Sequence, residues 1–360
     1  MSNDDPVDGV YLIKERIGEG GMAEIYRVEV DLDAFDYSML YAYTQADGET
    51  HAQRQAQARE LNRKLEKKDL DPDTVRGILE AQGMAVPGRV AALKLAKSGA
   101  DVERFDAEWQ YLMCLNHPNV ISVYGGGVWR GHPYYVMEHL TDTVPMKEVL
   151  ALSLLGKLEL MCQAGEGLAY LHKHEIVHRD VKPGNVMIVR RKEGLLAKVV
   201  DLGIAKAMDG SIADVLPDAR PDAVLDGSPG ETRSDQALGS KRYMAPEQIL
   251  SPQTVDHRAD QYGLATAIYE ITTGYPPFPW EMSYVEIVRS VLKGVEPPPA
   301  NVKNPQLPGS LTEIISRAMA RKPEARYPDM NAMLAALAQL LSDLRADALP
   351  RTSSETSIEG

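Results

Sequence analysis

Apolar and polar residues alternate through Tyr11-Leu12-Ile13-Lys14-Glu15-Arg16-Ile17 and again through Ile25-Tyr26-Arg27-Val28-Glu29-Val30, with glycines between the two runs. A period of two places successive side chains on opposite sheet faces, so residues 10–30 are predicted to form a β-hairpin. The pattern then changes. Phe35, Tyr37, Met39, Tyr41 and Tyr43 keep a period of two, which fits a further strand or an amphipathic helix. Residues 51–68 read as an exposed helix with a thin apolar face of Ala58, Leu61 and Leu65, and Asp71-Pro72-Asp73-Thr74 caps a short helix holding Val75, Ile78 and Leu79. Pro87-Gly88 ends this excursion, and residues 31–88 read as an insertion: a tolerated surface elaboration, or a docking or self-association surface. Arg89 to Ala96 is then a buried-strand run with one interior lysine, Lys94.

Beyond it, Phe105, Trp109, Leu112 and Leu115 recur at helical spacing, with Glu108 beside that face. An interior lysine is costly unless paired, and Glu108 on a helix packed against the strand would neutralise Lys94. Helical spacing returns over residues 157–173, 257–273, 283–293, 310–320 and 329–344, so the second half is mainly α-helical. Residues 345–360 are polar and rich in Ser and Thr, the composition of a disordered tail.

Composition narrows the function classes. The 360 residues exceed one compact core and suggest two lobes. The net charge of -13 argues against a nucleic-acid backbone as partner, because phosphate-binding faces need clustered Lys and Arg. Cys114 and Cys162 each fall in an apolar helical pattern and read as reduced core thiols, which suits a cytoplasmic compartment. The acidic start is unlike a signal peptide, and no apolar run reaches the roughly 18 residues needed to span a bilayer.

The chemistry concentrates in His178-Arg179-Asp180-Val181-Lys182-Pro183-Gly184-Asn185, followed by Asp201-Leu202-Gly203 and Ala245-Pro246-Glu247. In this order the motifs resemble the eukaryotic-type protein kinase family, from about Val10 to about Leu344 apart from the insertion. Gly20-Gly21-Met22, Tyr243 to Gln248 and Thr273-Gly274-Tyr275-Pro276-Pro277-Phe278 are similar to its bacterial serine/threonine branch. The resemblance implies an α+β, bilobal protein-kinase fold. A small β-rich N-lobe with one regulatory helix is expected at residues 10–140, after a tail at 1–9. A larger, mainly helical C-lobe is expected at 141–344, with an activation segment at 201–247.

The same resemblance implies ATP and Mg as cofactors, with Mn able to substitute, and protein Ser/Thr hydroxyls as acceptors. Phosphoryl transfer spreads negative charge over oxygens, so it needs alignment and cations. Lys94 would hold the α- and β-phosphates, oriented by Glu108. Asp201 and Asn185 would ligate metal, Asp180 would take the hydroxyl proton, and Lys182 would stabilise the γ-phosphate. Ile17, Gly18, Glu19, Gly20, Gly21, Met22, Ala23, Glu24 and Ile25 would close over the nucleotide, with Ala23 standing where many relatives have a third glycine. Ile25, Ala92 and Met187 would sandwich adenine, with Met137 as gatekeeper and Glu138 to Leu140 as hinge. Asp260 would anchor the catalytic loop, Arg326 would pair with Glu247, and Ser240 would bond Asp180 and Lys182. Leu202 would join Leu112, Val123 and His178 in a hydrophobic spine.

Regulation is implied too. Arg179 and Lys206 resemble a basic pocket for an activation-segment phosphate, and Thr232 and Ser234 are the candidate autophosphorylation sites, with Ser211 and Ser228 weaker. In bacterial relatives such a tail often leads to a membrane span, so the chain would be cytoplasmic or the cytoplasmic part of a longer membrane-anchored protein. The competing class is a kinase-shaped binding module without transfer, which would usually lack Lys94, Asp180, Asn185 or Asp201. All four are present.

Overall fold

The computed structural model describes residues 6–19, 23–37, 40, 59–60, 62–65, 67–81, 84–97, 105, 109–110, 112–113, 115–201 and 241–348. A five-stranded antiparallel sheet opens the fold, made of β1 (Tyr11–Glu19), β2 (Ala23–Val30), β3 (Val90–Ala96), β4 (Val123–Trp129) and β5 (His132–Glu138) in the order β1-β2-β3-β5-β4. The hairpin runs from Tyr11 opposite Val30 to Glu19 opposite Glu24, so the strands reach into the glycine-rich turn. Lys94 pairs with Ile25 on one side and Tyr135 on the other, and Ala92 pairs with Met137. Directly opposed residues share a face. Ile25, Ala92, Lys94, Tyr135 and Met137 therefore line one side of the sheet.

Helical residues 105, 109, 110, 112 and 113 pack on that side: the Phe105 and Tyr135 rings lie 5.2 Å apart, and Trp109 seats over Gly126. A Cβ on Gly126 would come within 2.7 Å of the Trp109 ring and of the Tyr134 carbonyl, so only glycine admits the indole there.

The other side of the sheet carries Val28, Ala91, Leu93 and Val136, each fully buried. Leu32, Phe35, Tyr37, Leu40, Val75, Leu79 and Val86 belong to the same continuous core, with Tyr37, Val75 and Leu79 fully buried. Here α1 (Pro72–Ala81) starts under an Asp71 cap, whose carboxylate accepts from the Thr74 N–H at 3.0 Å. Arg89 pairs with Asp73 at 3.1 Å.

Three sequence expectations need correction. The apolar residues of the insertion are core: they are buried in the same continuous cluster as the residues of the sheet, which keeps them from water. Ile78 is 37% exposed while Val75 and Leu79 are buried, so the inward stripe of α1 is narrower than the three apolar residues suggest. Phe35 and Tyr37 sit in a turn region with rings edge-to-face at 4.9 Å, not in a strand. Most of the thin-faced helix expected at 51–68 falls outside the described residues; positions 59–60 and 62–65 are helical.

The helical part is built on α2 (Met146–Ala151), α3 (Leu154–Lys173), α4 (Pro246–Leu250), α5 (Arg258–Thr273), α6 (Tyr284–Leu292), α7 (Ala300–Lys303), α8 (Gly309–Ala318) and α9 (Met330–Ala348). Between α3 and α4 a short hairpin, β6 (Val186–Arg191) with β7 (Gly194–Val199), carries the chain towards Asp201. Helix α5 is buried on nearly all sides, from Ala259 to Tyr269, and packs against α3, α8 and α9. A helix apolar all round must lie at the centre of its lobe. Gly274 ends it at φ 78°, where a residue without Cβ is unstrained. Among the described residues no helix is long and apolar enough to cross a membrane. Cys162 is a half-buried free thiol, and Cys114 lies outside the described residues.

Candidate active site

Asp260, in the first turn of α5, organises the loop that follows α3. One carboxylate oxygen accepts from the His178 N–H at 2.8 Å and from the His172 ring at 2.7 Å; the other accepts from the Arg179 N–H at 2.8 Å. Burial raises the Asp260 pKa, yet the hydrogen bond and charge of His172, with the hydrogen bond from the His178 backbone N–H, outweigh it and hold the carboxyl below its usual range. These bonds pin a strained backbone: Arg179 has φ 61°, in the left-handed region that non-glycine residues seldom adopt.

His178 continues the linkage. Its Nδ1 accepts from the Asp180 N–H at 3.3 Å, so the proton of the neutral ring is on Nε2, which donates to the Val200 carbonyl at 3.1 Å. Val200 N–H donates to the Asn185 carbonyl at 3.0 Å. The loop bearing Asp180 and the strand leading to Asp201 are thereby locked together. Asp201 is also left-handed, with φ 53°.

Three sequence candidates converge in one cluster. Asp180 accepts from Lys182 Nζ at 2.9 Å, while Asn185 Nδ2 donates to the Asp180 carbonyl at 2.9 Å and to its carboxylate at 3.0 Å. Both Asn185 contacts are to acceptors, so its amide nitrogen faces Asp180 and its amide oxygen faces away. Lys94 crosses from the sheet to Asp201 at 3.4 Å, and its ammonium lies 5.2 Å from the Tyr135 ring centroid. Glu108 lies outside the described residues, as do Gly20, Gly21, Met22, Leu202, Lys206, Ser211, Ser228, Thr232, Ser234 and Ser240.

The remaining candidates are placed as follows. Gly18 and Glu19 end β1, where Glu19 pairs with Lys97 at 2.7 Å, and Ala23 begins β2 and is buried. Glu24 accepts from Tyr26 at 2.7 Å and from Arg16 at 2.9 Å, and these bonds lower its pKa. Ile17 is 46% exposed, whereas Ile25, Met137, Glu138, Leu140 and Met187 are half-buried and Ala92 is buried. Arg326, fully buried, holds Glu247 through two bonds of 2.6 and 2.7 Å. Leu112, Val123 and His178 are all buried.

Other contacts were not legible in the sequence. Gln248 of α4 donates to the Arg179 carbonyl at 2.7 Å, tying that helix to the catalytic loop. Gly263 lets α5 approach the same loop, since a Cβ there would stand 2.7 Å from the Val181 side chain and carbonyl. Lys198 on β7 pairs with Glu138 at 2.7 Å and donates to the Val120 carbonyl at 3.2 Å. Its signal was a charged residue inside an apolar strand, Ala197-Lys198-Val199-Val200.

A strand-rich lobe whose Lys94 reaches Asp201, and a helical lobe whose loop clusters Asp180, Lys182 and Asn185, make a two-lobed α+β fold of the phosphoryl-transfer class. The family model described as the protein kinase domain matches residues 78–337, and the chain belongs to that family. The match begins in α1 and leaves the first hairpin outside. Among curated proteins, the chain is 33% identical over 245 residues to the serine/threonine-protein kinase Pkn1 of Myxococcus xanthus, covering 67% of this chain and 32% of that protein. It is 30% identical over 267 residues to the serine/threonine-protein kinase PknB of Mycolicibacterium smegmatis, covering 72% and 37%. The chain thus spans about a third of the length of these relatives. The crystal structure of the Mycobacterium tuberculosis PknI kinase domain has the same fold, with a TM-score of 0.56 at 21% identity over 94% of this chain and 99% of that one.

Proposed function

We propose that the chain is an ATP- and magnesium-dependent protein serine/threonine kinase. The observation that carries this reading is the cluster of Asp180, Lys182 and Asn185 around one carboxylate, set across from Lys94 and Asp201. In the reaction, the substrate hydroxyl oxygen bonds to the γ-phosphorus, the bond from that phosphorus to the bridging oxygen of ADP breaks, and the proton passes to Asp180. Lys182 offsets charge on the transferred group, and Lys94, steered by Glu108, holds the α- and β-phosphates. The serine/threonine preference rests on Lys182 two residues after Asp180, and it is supported by the names of the relatives, which are serine/threonine-protein kinases.

The donor set fits magnesium. A hard cation takes oxygen ligands, and Asp201 supplies a carboxylate while Asn185 supplies the amide oxygen left over from its bonds to Asp180. Magnesium held there would supply neutralisation of the phosphate charge. The two ends of the glycine-rich turn, Ile17 to Glu19 and Ala23 to Ile25, would flank the phosphates. Ile25, Ala92 and Met187 enclose adenine, and the backbone of Glu138 to Leu140 meets its edge beside Met137.

Regulation follows the same reading: autophosphorylation at Thr232 or Ser234 supplies an anion for Arg179 and Lys206. The test is intact-mass spectrometry of dephosphorylated wild type and Asp180→Asn incubated with ATP and magnesium. Mass gains in multiples of one phosphate in the wild type alone support the kinase reading. No gain and no transfer to a protein acceptor, with nucleotide still bound, moves the binding-module reading ahead.

A further inference from the structure

Arg242 is charged and 5% exposed, a position that only dense hydrogen bonding sustains. It lies in the 3-10 turn Lys241–Tyr243, immediately before α4. Its partners are the carbonyls of one loop. One terminal nitrogen donates to Phe278 at 3.0 Å and to Pro279, and the other donates to Trp280 at 3.4 Å and Met282 at 3.5 Å. The guanidinium also stacks on the Trp280 ring, 4.9 Å from its centroid. Next to it, Tyr243 donates to Glu270 at 2.8 Å, and the Arg242 charge partly offsets the rise that burial imposes on the Glu270 carboxyl.

Trp280 itself stands out. The other two tryptophans are 6% and 9% exposed, but Trp280 is 55% exposed. Its ring is held by Arg242 and turned into water. The same stretch of chain continues into the site, where Tyr243, Met244 and Gln248 line one hollow with Arg179 and Asp180, and Gln248 bonds the Arg179 carbonyl. An exposed aromatic is thus joined to the catalytic loop through Arg242 and α4, by a path with no contact to Lys94 or Asp201 among the described bonds.

We propose that Arg242 is a positioning residue and that the Trp280 face it fixes receives an apolar side chain of the protein substrate. The face therefore governs affinity for the protein acceptor and leaves affinity for nucleotide alone. This rests on the kinase reading above. A planar fork with five donors matches several carbonyls at once, which a lysine cannot do. An aromatic ring presented rigidly offers apolar contact at low entropic cost.

The test uses the full chain with casein as protein acceptor, comparing wild type, Trp280→Ala, Arg242→Lys and Arg242→Met. Transfer to casein is measured over a range of casein and of ATP concentrations, alongside ATP hydrolysis without casein. Trp280→Ala should raise the KM for casein by about tenfold, the order expected for a lost aromatic anchor. Its kcat, its KM for ATP and its casein-free hydrolysis should stay within about twofold of wild type, a change too small to count as a lost contact. Arg242→Met should raise the casein KM at least as much, and Arg242→Lys should recover part of it. An unchanged casein KM in Trp280→Ala overturns the proposal while the kinase reading stands. So does an equal fall in casein transfer and casein-free hydrolysis in both Arg242 variants, which would make the arginine merely structural. A wild type that transfers phosphate neither to casein nor to the Asp180→Asn chain overturns the kinase reading, and this one with it.

Discussion

Lys198 on β7 meets Glu138 at the end of β5 at 2.7 Å, with the two side chains only 7% and 17% exposed. Arg191 approaches the same carboxylate at 3.4 Å. This ion pair joins the helical lobe to the segment that links the lobes, on the strand that leads into Asp201. Removing Lys198 leaves the buried Glu138 carboxylate with only the more distant and exposed Arg191, whereas removing both buried partners leaves no buried charge. Lys198→Met should therefore cost about 3 kcal/mol of stability, and Lys198→Met with Glu138→Leu should cost less than the single change. Urea midpoints of the two variants check this. A double variant less stable than Lys198→Met would contradict it.

The acid side of the stability profile should depend on Asp260. Its folded pKa is lowered, so its contribution is present above the unfolded carboxylate value of about 4 and is lost as pH falls through the folded value. Asp260→Asn should lose about 3 kcal/mol at pH 7. The gap to wild type should close as pH drops below about 4. Chemical denaturation at stepped pH reads the difference, and a gap constant with pH would remove the linkage.

Gly263 tests the approach of α5 to the catalytic loop. With a Cβ at 2.7 Å from Val181, Gly263→Ala must displace the backbone next to Asp180. Mispositioning a reacting group by about 1 Å costs on the order of 100-fold in rate. The expected result is that loss in kcat with KM for ATP little changed, measured by steady-state kinetics at matched folded fraction.

The insertion separates into core and surface within one helix. Leu79→Ala should cost about 2–5 kcal/mol, as for other buried leucines. Ile78→Ala, at a position 37% exposed, should stay within about 0.5 kcal/mol. Thermal melts of the two variants decide whether residues 31–88 are part of the folding unit. Equal, small effects would return the segment to the status of a surface decoration.

The sequence by itself determined the parts whose chemistry is local. Asp180, Lys182 and Asn185 lie within one short loop, where their spacing lets them converge, although Asp260 from α5 is what pins the loop backbone. The helices of the second lobe were legible from their periodicity, because burying one stripe imposes it. Lys94 could be singled out because a charge amid Val, Ala and Leu demands a partner.

Tertiary structure decided what depends on groups far apart in the chain or on the backbone. The partners of Arg242 are carbonyls 36 to 40 residues away, and a carbonyl carries no mark of residue type. His172 on Asp260 and Lys198 on Glu138 are separated by 88 and 60 positions, and neither spacing has a local signature. The polar, charge-rich stretch between β2 and β3 looked like surface because its apolar residues are sparse. Only the fold shows that Tyr37, Val75 and Leu79 are fully buried in the same continuous core as Val28, Leu93 and Val136, where removal from water stabilises the unit that carries Lys94.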